Sequence, residues 1–327
     1  MEEFVYAGAS AVSAICIMHP VDVVKTRQQF LGEAFSARAP VSSPSSPKPS
    51  GSPSAYGGVL GSLVTIGRAE GLKGLYRGLA AACILQVSVT GVRFGTYALV
   101  KQRLGARKQG GLNHLQNMGV GLFAGILGAV CGTPFFLIKT QCQASSSVKS
   151  MQVGFQHHHS SLRFAIREVI RKEGFLGLWN GVDAFILRVA AFSAVQLSTY
   201  DFVKARLREK GGLSDGVGLH FLSSLVTGAF AVTAMQPFDL IAARLMNQPT
   251  RGAYYASPLD CALKVVRSEG PTALFKGFTA NYLRMGPYNT LVFLFYEQFR
   301  RLGTQIKESA ANGRSLSRNL GKQPVSQ

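Results

Sequence analysis

Charge is scarce in this chain. Only 16% of its 327 residues are Asp, Glu, Lys or Arg, against roughly 25% in an ordinary soluble protein, while 47% are apolar. That balance leans toward a membrane protein. Clean runs of about 20 apolar residues are also missing, because Gly, Pro, Ser and single charges interrupt every oily segment. Spans of this kind suit a bundle with a polar interior, since a charge facing lipid is expensive. Acid is scarcer than base, 16 residues against 35, for a net charge of +19. Such an excess fits nucleic acid, anionic lipid or anionic substrates. The bases are scattered, however, and no zinc-finger, RRM or basic-zipper pattern is present, so no nucleic-acid partner is expected. The five cysteines, Cys16, Cys83, Cys131, Cys142 and Cys261, lack CxxC spacing or a disulfide-dense pattern, which leaves reduced or structural roles. The opening "MEEFVYAG" is acidic where a secretory signal or transit peptide is basic, so any organelle address is expected to be internal.

What is present is repetition. "HPVDVVK" around Pro20 is echoed by "TPFFLIK" around Pro134 and "QPFDLIA" around Pro237. "EGLKGLYRG", "EGFLGLWNG" and "EGPTALFKG" form a second triplet, and "YALVK", "YDFVK" and "YEQFR" a third. Gly78, Gly181 and Gly277 stand at one identical interval before Tyr97, Tyr200 and Tyr296, and Glu70 and Glu173 at one identical interval before Pro134 and Pro237. Only the Pro-to-Glu interval varies, so length differences collect in one loop per unit. The units are residues 1–107, 113–212 and 216–305. In the first, the Ser/Pro/Gly-rich insert over 36–58 reads as disordered, as does the tail over 306–327. Each unit parses as an oily helix ending just past its Pro motif, a loop, a short amphipathic helix and a second oily helix. Three units predict an all-α membrane protein with six transmembrane helices. The small-residue pairs Gly121 with Gly125 and Ser224 with Gly228 are candidate close-packing sites between helices.

These three triplets resemble the mitochondrial carrier family over essentially the whole chain apart from the insert and the tail. The resemblance implies a six-helix bundle with threefold pseudosymmetry, a short amphipathic matrix-side helix per repeat, and a central site opening alternately to the cytosol and the matrix. It assigns Pro20, Pro134 and Pro237 to helix kinks. It implies that Asp22 meets Lys139 and Asp239 meets Lys25 in a matrix gate, braced by Gln29 and Gln143. The third pair departs from the pattern: Phe136 stands where an acid belongs and Ala242 where a base belongs. Losing both partners together leaves no lone buried charge, which costs several kcal/mol. On the cytoplasmic side the same logic pairs Asp201 with Arg300 and Glu297 with Lys101, while Ala98 leaves Lys204 without an acid. Gly78, Gly181 and Gly277, opposite Gly71, Gly174 and Gly270, are implied cardiolipin-binding positions, where backbone N–H groups at helix starts hold phosphate. The family implies a monomer in the mitochondrial inner membrane, needing no cofactor.

At one interval beyond those glycines come Leu85, Arg188 and Arg284, the family's discriminating positions. Two arginines at bilayer depth need an anion or a paired carboxylate. Because a guanidinium matches a carboxylate bidentately, Arg188 and Arg284 suit a small dianion, with Leu85, Gln86 and Val189 completing the site and Arg93 drawing anions inward. The alternative for either arginine is a protein carboxylate such as Asp183. "LMNQPT", "RMGPYNTLVFLFYEQFR", "GVRFGTY" and the missing charges at 136 and 242 look like the family's oxaloacetate and sulfate branch. Transport of oxaloacetate, malonate, related dicarboxylates or sulfate is thus implied, as exchange or with a proton. A proton-leak protein, or an amino-acid or nucleotide carrier on the same scaffold, is the alternative. No nucleophile, base and oxyanion set suggests an enzyme. "HHH" at 157–159 reads as a solvated loop rather than a metal site.

Overall fold

The computed structural model describes residues 2–33, 57–105, 114–159, 161–211 and 217–320, and among these every regular element is helical. The helices are α1 (Glu2–Gln29), α2 (Val59–Leu75), α3 (Leu79–Gly105), α4 (His114–Ala144), α5 (Leu162–Glu173), α6 (Val182–Gly211), α7 (Val217–Asn247), α8 (Pro258–Glu269) and α9 (Phe278–Leu320). Each repeat therefore contributes a long helix, a short one and a second long one.

Local chemistry places the prolines and the helix starts. Pro20, Pro134 and Pro237 lie inside α1, α4 and α7, where the missing N–H and the ring's clash with the preceding turn bend an axis. Two of the three short helices, α5 and α8, begin on serine caps, whereas α2 follows Gly58 with no side-chain cap: Ser161 Oγ accepts from the Phe164 N–H and Ser257 Oγ from the Asp260 N–H, a contact worth about 1 kcal/mol. Both lie on the bundle through one face, Ala165 with Val169 and Cys261 with Val265, the i, i+4 spacing of an amphipathic helix. Gly174 and Gly270 then turn the chain with positive φ into 3₁₀ turns at Phe175–Trp179 and Pro271–Phe275.

Around the bundle α1 packs on α3, α3 on α4, α4 on α6, α6 on α7, α7 on α9, and α9 returns to α1. The six long helices thus close into a ring. Five are long and apolar enough to cross a membrane. The sixth, α9, carries Asn281, Arg284 and Asn289 in its first half, which lowers its apolarity without shortening it.

Close packing falls at one glycine the sequence singled out, Gly125, and at two it did not. A Cβ added at Gly132 meets Leu85 Cδ1 at 3.0 Å and one at Gly128 meets the Val89 carbonyl at 3.0 Å, so α3 lies on a glycine-lined strip of α4. Gly125 approaches Val189 of α6, whereas Gly121 and Gly228 face open space. A second correction concerns the tail: α9 continues through residues 306–320 instead of ending near 305. A helix already nucleated extends cheaply, and no proline interrupts this stretch before Pro324. The insert over 36–58, except residues 57 and 58, and residues 321–327 lie outside the described residues.

Candidate functional site

The Pro motifs bring the ends of α1, α4 and α7 together. Lys139 Nζ lies 2.5 Å from Asp22 Oδ2 and Lys25 Nζ 2.6 Å from Asp239 Oδ2. Each aspartate takes a second donor on the same oxygen: Gln29 Nε2 donates to Asp239 over 2.6 Å and Gln143 Nε2 to Asp22 over 3.2 Å. Thr26 secures Gln143 by donating to its amide oxygen over 2.7 Å. All four charged side chains are at most 9% exposed. Losing one partner of such a pair costs about 3–5 kcal/mol, because the survivor is left charged and dry.

The remaining carboxylate oxygens face the even-numbered spans. Arg188 Nε lies 2.6 Å from Asp239 Oδ1 and Arg284 Nε 3.4 Å from Asp22 Oδ1. The two arginines are therefore not isolated cations awaiting a ligand, as their sequence positions suggested; each is held by an aspartate of the Pro-motif cluster. Asp183 is not that aspartate, since its Oδ1 accepts from the Ala184 N–H. Neither arginine contact has hydrogen-bond alignment at Nε. Beyond Nε, Arg284 Nη2 lies 4.0 Å from the Met285 sulfur.

Phe136 and Ala242 are buried in a single apolar cluster with Phe185. The Phe136 and Phe185 rings are 4.5 Å apart between centroids. The Arg188 guanidinium lies over both, at 5.5 and 5.4 Å, and Lys139 Nζ lies 5.9 Å from the Phe136 centroid. A cation over an aromatic face is attracted by the ring's quadrupole. Leu85 and Val189 border the same cluster, and Gln86 donates to Thr90 Oγ1 within α3 over 2.9 Å. Arg93 lies farther along α3, opposite Gly128 of α4.

Below the aspartates lies a layer that the sequence reading missed. Arg27 holds Glu70 bidentately at 2.5 and 3.0 Å and also donates to the carbonyls of Gln143 and Ser145. In the third repeat Arg244 grips Glu269 at the same distances while Lys276 shares its Oε2 at 2.5 Å. Burial works to raise both glutamates, but these cations hold them below the usual carboxylate range. The available signal was register: Arg27, Gln141 and Arg244 occupy the same place after their prolines.

The second repeat breaks the pattern. Gln141 donates to the Met246 carbonyl over 3.1 Å, and Glu173 is met by the Asn180 amide. Two histidines of the loop, His157 and His159, fill the gap and turn inward, which corrects the sequence reading for them, while His158 is exposed. His159 lies 2.9 Å from Gln141 Oε1 and 3.1 Å from Glu168 Oε2, and His157 lies 3.0 Å from the Asn247 carbonyl. Burial pushes His157 down to about 4.

At the opposite end of the bundle, Glu297 pairs with Arg301 one turn along its own helix at 2.5 Å, and Lys101 stands 5.7 Å from the Tyr97 centroid. Glu297 is thus turned away from the Lys101 pairing that the resemblance implied; when the Pro-motif ends converge, an i, i+4 partner is the nearest one. Lys204 is half-buried and Arg300 exposed. The side chain of Asp201 lies outside the described residues.

A ring of six long helices, built from three like units and drawn shut at one end by inter-repeat ion pairs, has the architecture of a membrane solute carrier. The family model described as "Mitochondrial carrier protein" matches residues 1–108, 110–211 and 214–307. The mitochondrial oxaloacetate transport protein of Saccharomyces cerevisiae is 34% identical over 93% of this chain and 90% of its own length. Mitochondrial citrate transporter E of Aspergillus niger is 33% identical over 97% and 98%. The putative mitochondrial transporter UCP3 of Bos taurus is 34% identical over 91% of each. The chain belongs to the mitochondrial carrier family: it is a transporter rather than an enzyme, a multi-pass protein of the mitochondrial inner membrane that carries small anionic substrates.

Proposed function

We propose that the chain carries small dianions, oxaloacetate, malonate or a related dicarboxylate, with sulfate a further candidate, by alternating access between Arg188 and Arg284. One observation carries this reading. The buried cluster holds four cations, Lys25, Lys139, Arg188 and Arg284, against two carboxylates, Asp22 and Asp239. It is two positive charges in excess, the complement of a guest with two negative ones.

The geometry also supports a coupling between binding and opening. A guest carboxylate that accepts two aligned hydrogen bonds from a guanidinium makes a stronger contact than the unaligned Nε contact it replaces. Drawing Arg188 from Asp239 and Arg284 from Asp22 leaves each aspartate with its lysine and glutamine alone. The guest thereby favours the state in which these matrix-gate pairs separate, and a ligand shifts such an equilibrium only by its differential affinity. Lys101, Asp201, Lys204, Glu297 and Arg300 are assigned to the opposing cytoplasmic gate. Arg93, Leu85, Gln86 and Val189 are assigned to the wall of the site, and Pro20, Pro134 and Pro237 to the bends that bring the gate together.

For the lipid, support comes from the turns. Gly71, Gly174 and Gly270 have nothing within 4 Å of an added Cβ, and Gly78, Gly181 and Gly277, each with positive φ, stand just before the even spans, where the first N–H groups of a helix have no partner within the helix. We assign these to cardiolipin phosphates around a monomer. The test is uptake of labelled malonate, oxaloacetate and sulfate into liposomes containing the purified chain, with and without a pH gradient. Proton leak without anion uptake favours the second reading, that of an uncoupling-type carrier, which is supported by the 33% identity to Arabidopsis thaliana mitochondrial uncoupling protein 4.

A further inference from the structure

We propose that Phe136 sets the charge of the guest, by holding Arg188 and Lys139 as cations without neutralising either. This rests on the reading of the cluster as a dianion site. Where its counterparts in the other repeats are Asp22 and Asp239, Phe136 offers a ring face. Two cations sit over it, Arg188 at 5.5 Å and Lys139 at 5.9 Å, and Phe185, its centroid 4.5 Å from that of Phe136, lies beside it on the same side of Arg188 at 5.4 Å. A carboxylate at this place would be an ion-pair partner for Arg188 and would cancel one charge of the two-charge excess. An aliphatic side chain would leave the charge count alone but surrender the attraction of the ring. Phe136 thus has two separable effects: as a positioning residue it aims the guanidinium, and as an uncharged residue it preserves the excess. Ala242, buried in the same cluster, is the matching absence on α7.

The two effects predict different outcomes in the full chain reconstituted in cardiolipin-containing liposomes, with malonate as the dianion and its monomethyl ester as the monoanion. Phe136→Leu keeps the preference for malonate while its KM rises about fivefold, the loss of roughly 1 kcal/mol of cation–π attraction, with a smaller change in maximal rate. Phe136→Glu lowers malonate uptake at least tenfold and moves the malonate-to-monoester ratio toward the monoester. Adding Ala242→Lys to Phe136→Glu restores the two-charge excess and with it the malonate preference, a rescue that mere repacking cannot produce. Thermal unfolding in detergent identifies folded variants, and the double variant, which carries both partners of a buried pair, keeps the test open if Phe136→Glu alone does not fold. A folded Phe136→Glu chain with the wild-type ratio, or a folded double variant that still prefers the monoester, overturns the assignment of Phe136. Wild-type liposomes that take up the monoester and no dianion overturn the dianion site itself, a result distinguishable from the first because it appears before any substitution is made.

Discussion

Arg188 meets Asp239 through Nε, 2.6 Å from Oδ1, and not through the fork of its terminal nitrogens. The contact spends one edge of the guanidinium on the protein and reserves the bidentate edge. Under the proposed dianion reading, a dicarboxylate would bind before the internal pair is fully given up, which lowers the cost of exchanging one partner for the other.

Arg188→Ala and Arg284→Ala are therefore each expected to reduce dianion uptake by about ten- to a hundredfold, the loss of a charge-assisted contact worth roughly 1.5–3 kcal/mol. Arg188→Lys retains charge but not the planar fork and falls between. Initial rates in liposomes measure this. Wild-type rates in both alanine variants would remove the site.

Asp22→Asn leaves Lys139 and Arg284 without their carboxylate and is expected to lower stability by about 3–5 kcal/mol. The double variant Asp22→Asn, Lys139→Met discards the charge together with its lysine and is expected to recover part of that loss. Thermal melting in detergent, run as a double-mutant cycle, reads the coupling; strictly additive losses would show that the 2.5 Å pair contributes nothing.

Gln141 stands in the register of Arg27 and Arg244, each of which clamps a glutamate. Gln141→Arg supplies the missing base opposite Glu173, whose carboxyl burial raises above the usual range. The variant is expected to melt higher, by the equivalent of about 1 kcal/mol, and to turn over more slowly because the second repeat is more firmly tied to its short helix. Melting and malonate exchange measured on the same preparation check both halves.

Glu33 and His157 shape the pH dependence of stability in opposite directions. Burial raises Glu33 to about 7 from 4.5 against the pull of Arg244. The folded chain keeps that proton after the unfolded chain has lost it, so stability falls as pH rises from 4.5 towards 7. Burial lowers His157 to about 4 from 6.5, so the unfolded chain takes up protons first and stability falls as pH drops from 6.5 towards 4. Glu33→Gln is expected to raise the melting temperature at pH 8 and to leave it nearly unchanged at pH 4, since the linkage is worth at most about 3 kcal/mol. An equal gain at both pH values would show that titration is not the cause.

Much was legible in the chain because the same physical problem is solved in it three times. Pro20, Pro134 and Pro237 mark the three odd-numbered spans, and the repeated glycine-to-tyrosine interval marks the even-numbered ones, though not their differing ends, so six long helices in three pairs follow from spacing alone. The histidine loop was not legible. Three adjacent histidines look alike in the sequence, but α5 and the end of α7 close over His157 and His159 while His158 stays exposed, and only then does His159 reach both Gln141 and Glu168. Nor did the sequence reveal the glycine strip at Gly128 and Gly132, since a glycine's value depends on which neighbour, here Val89, comes against it.

By itself the sequence determined the family, the number of repeats, the placement of the prolines and the paired loss of acid and base at Phe136 and Ala242, because each is a matter of residue type and interval. Only the tertiary structure decided how the charges are shared. Coulomb interaction depends on distance and on burial. No interval along the chain reveals that the oxygens of Asp239 divide between Lys25 and Arg188, or that an aromatic face rather than a carboxylate stands beneath the second cation.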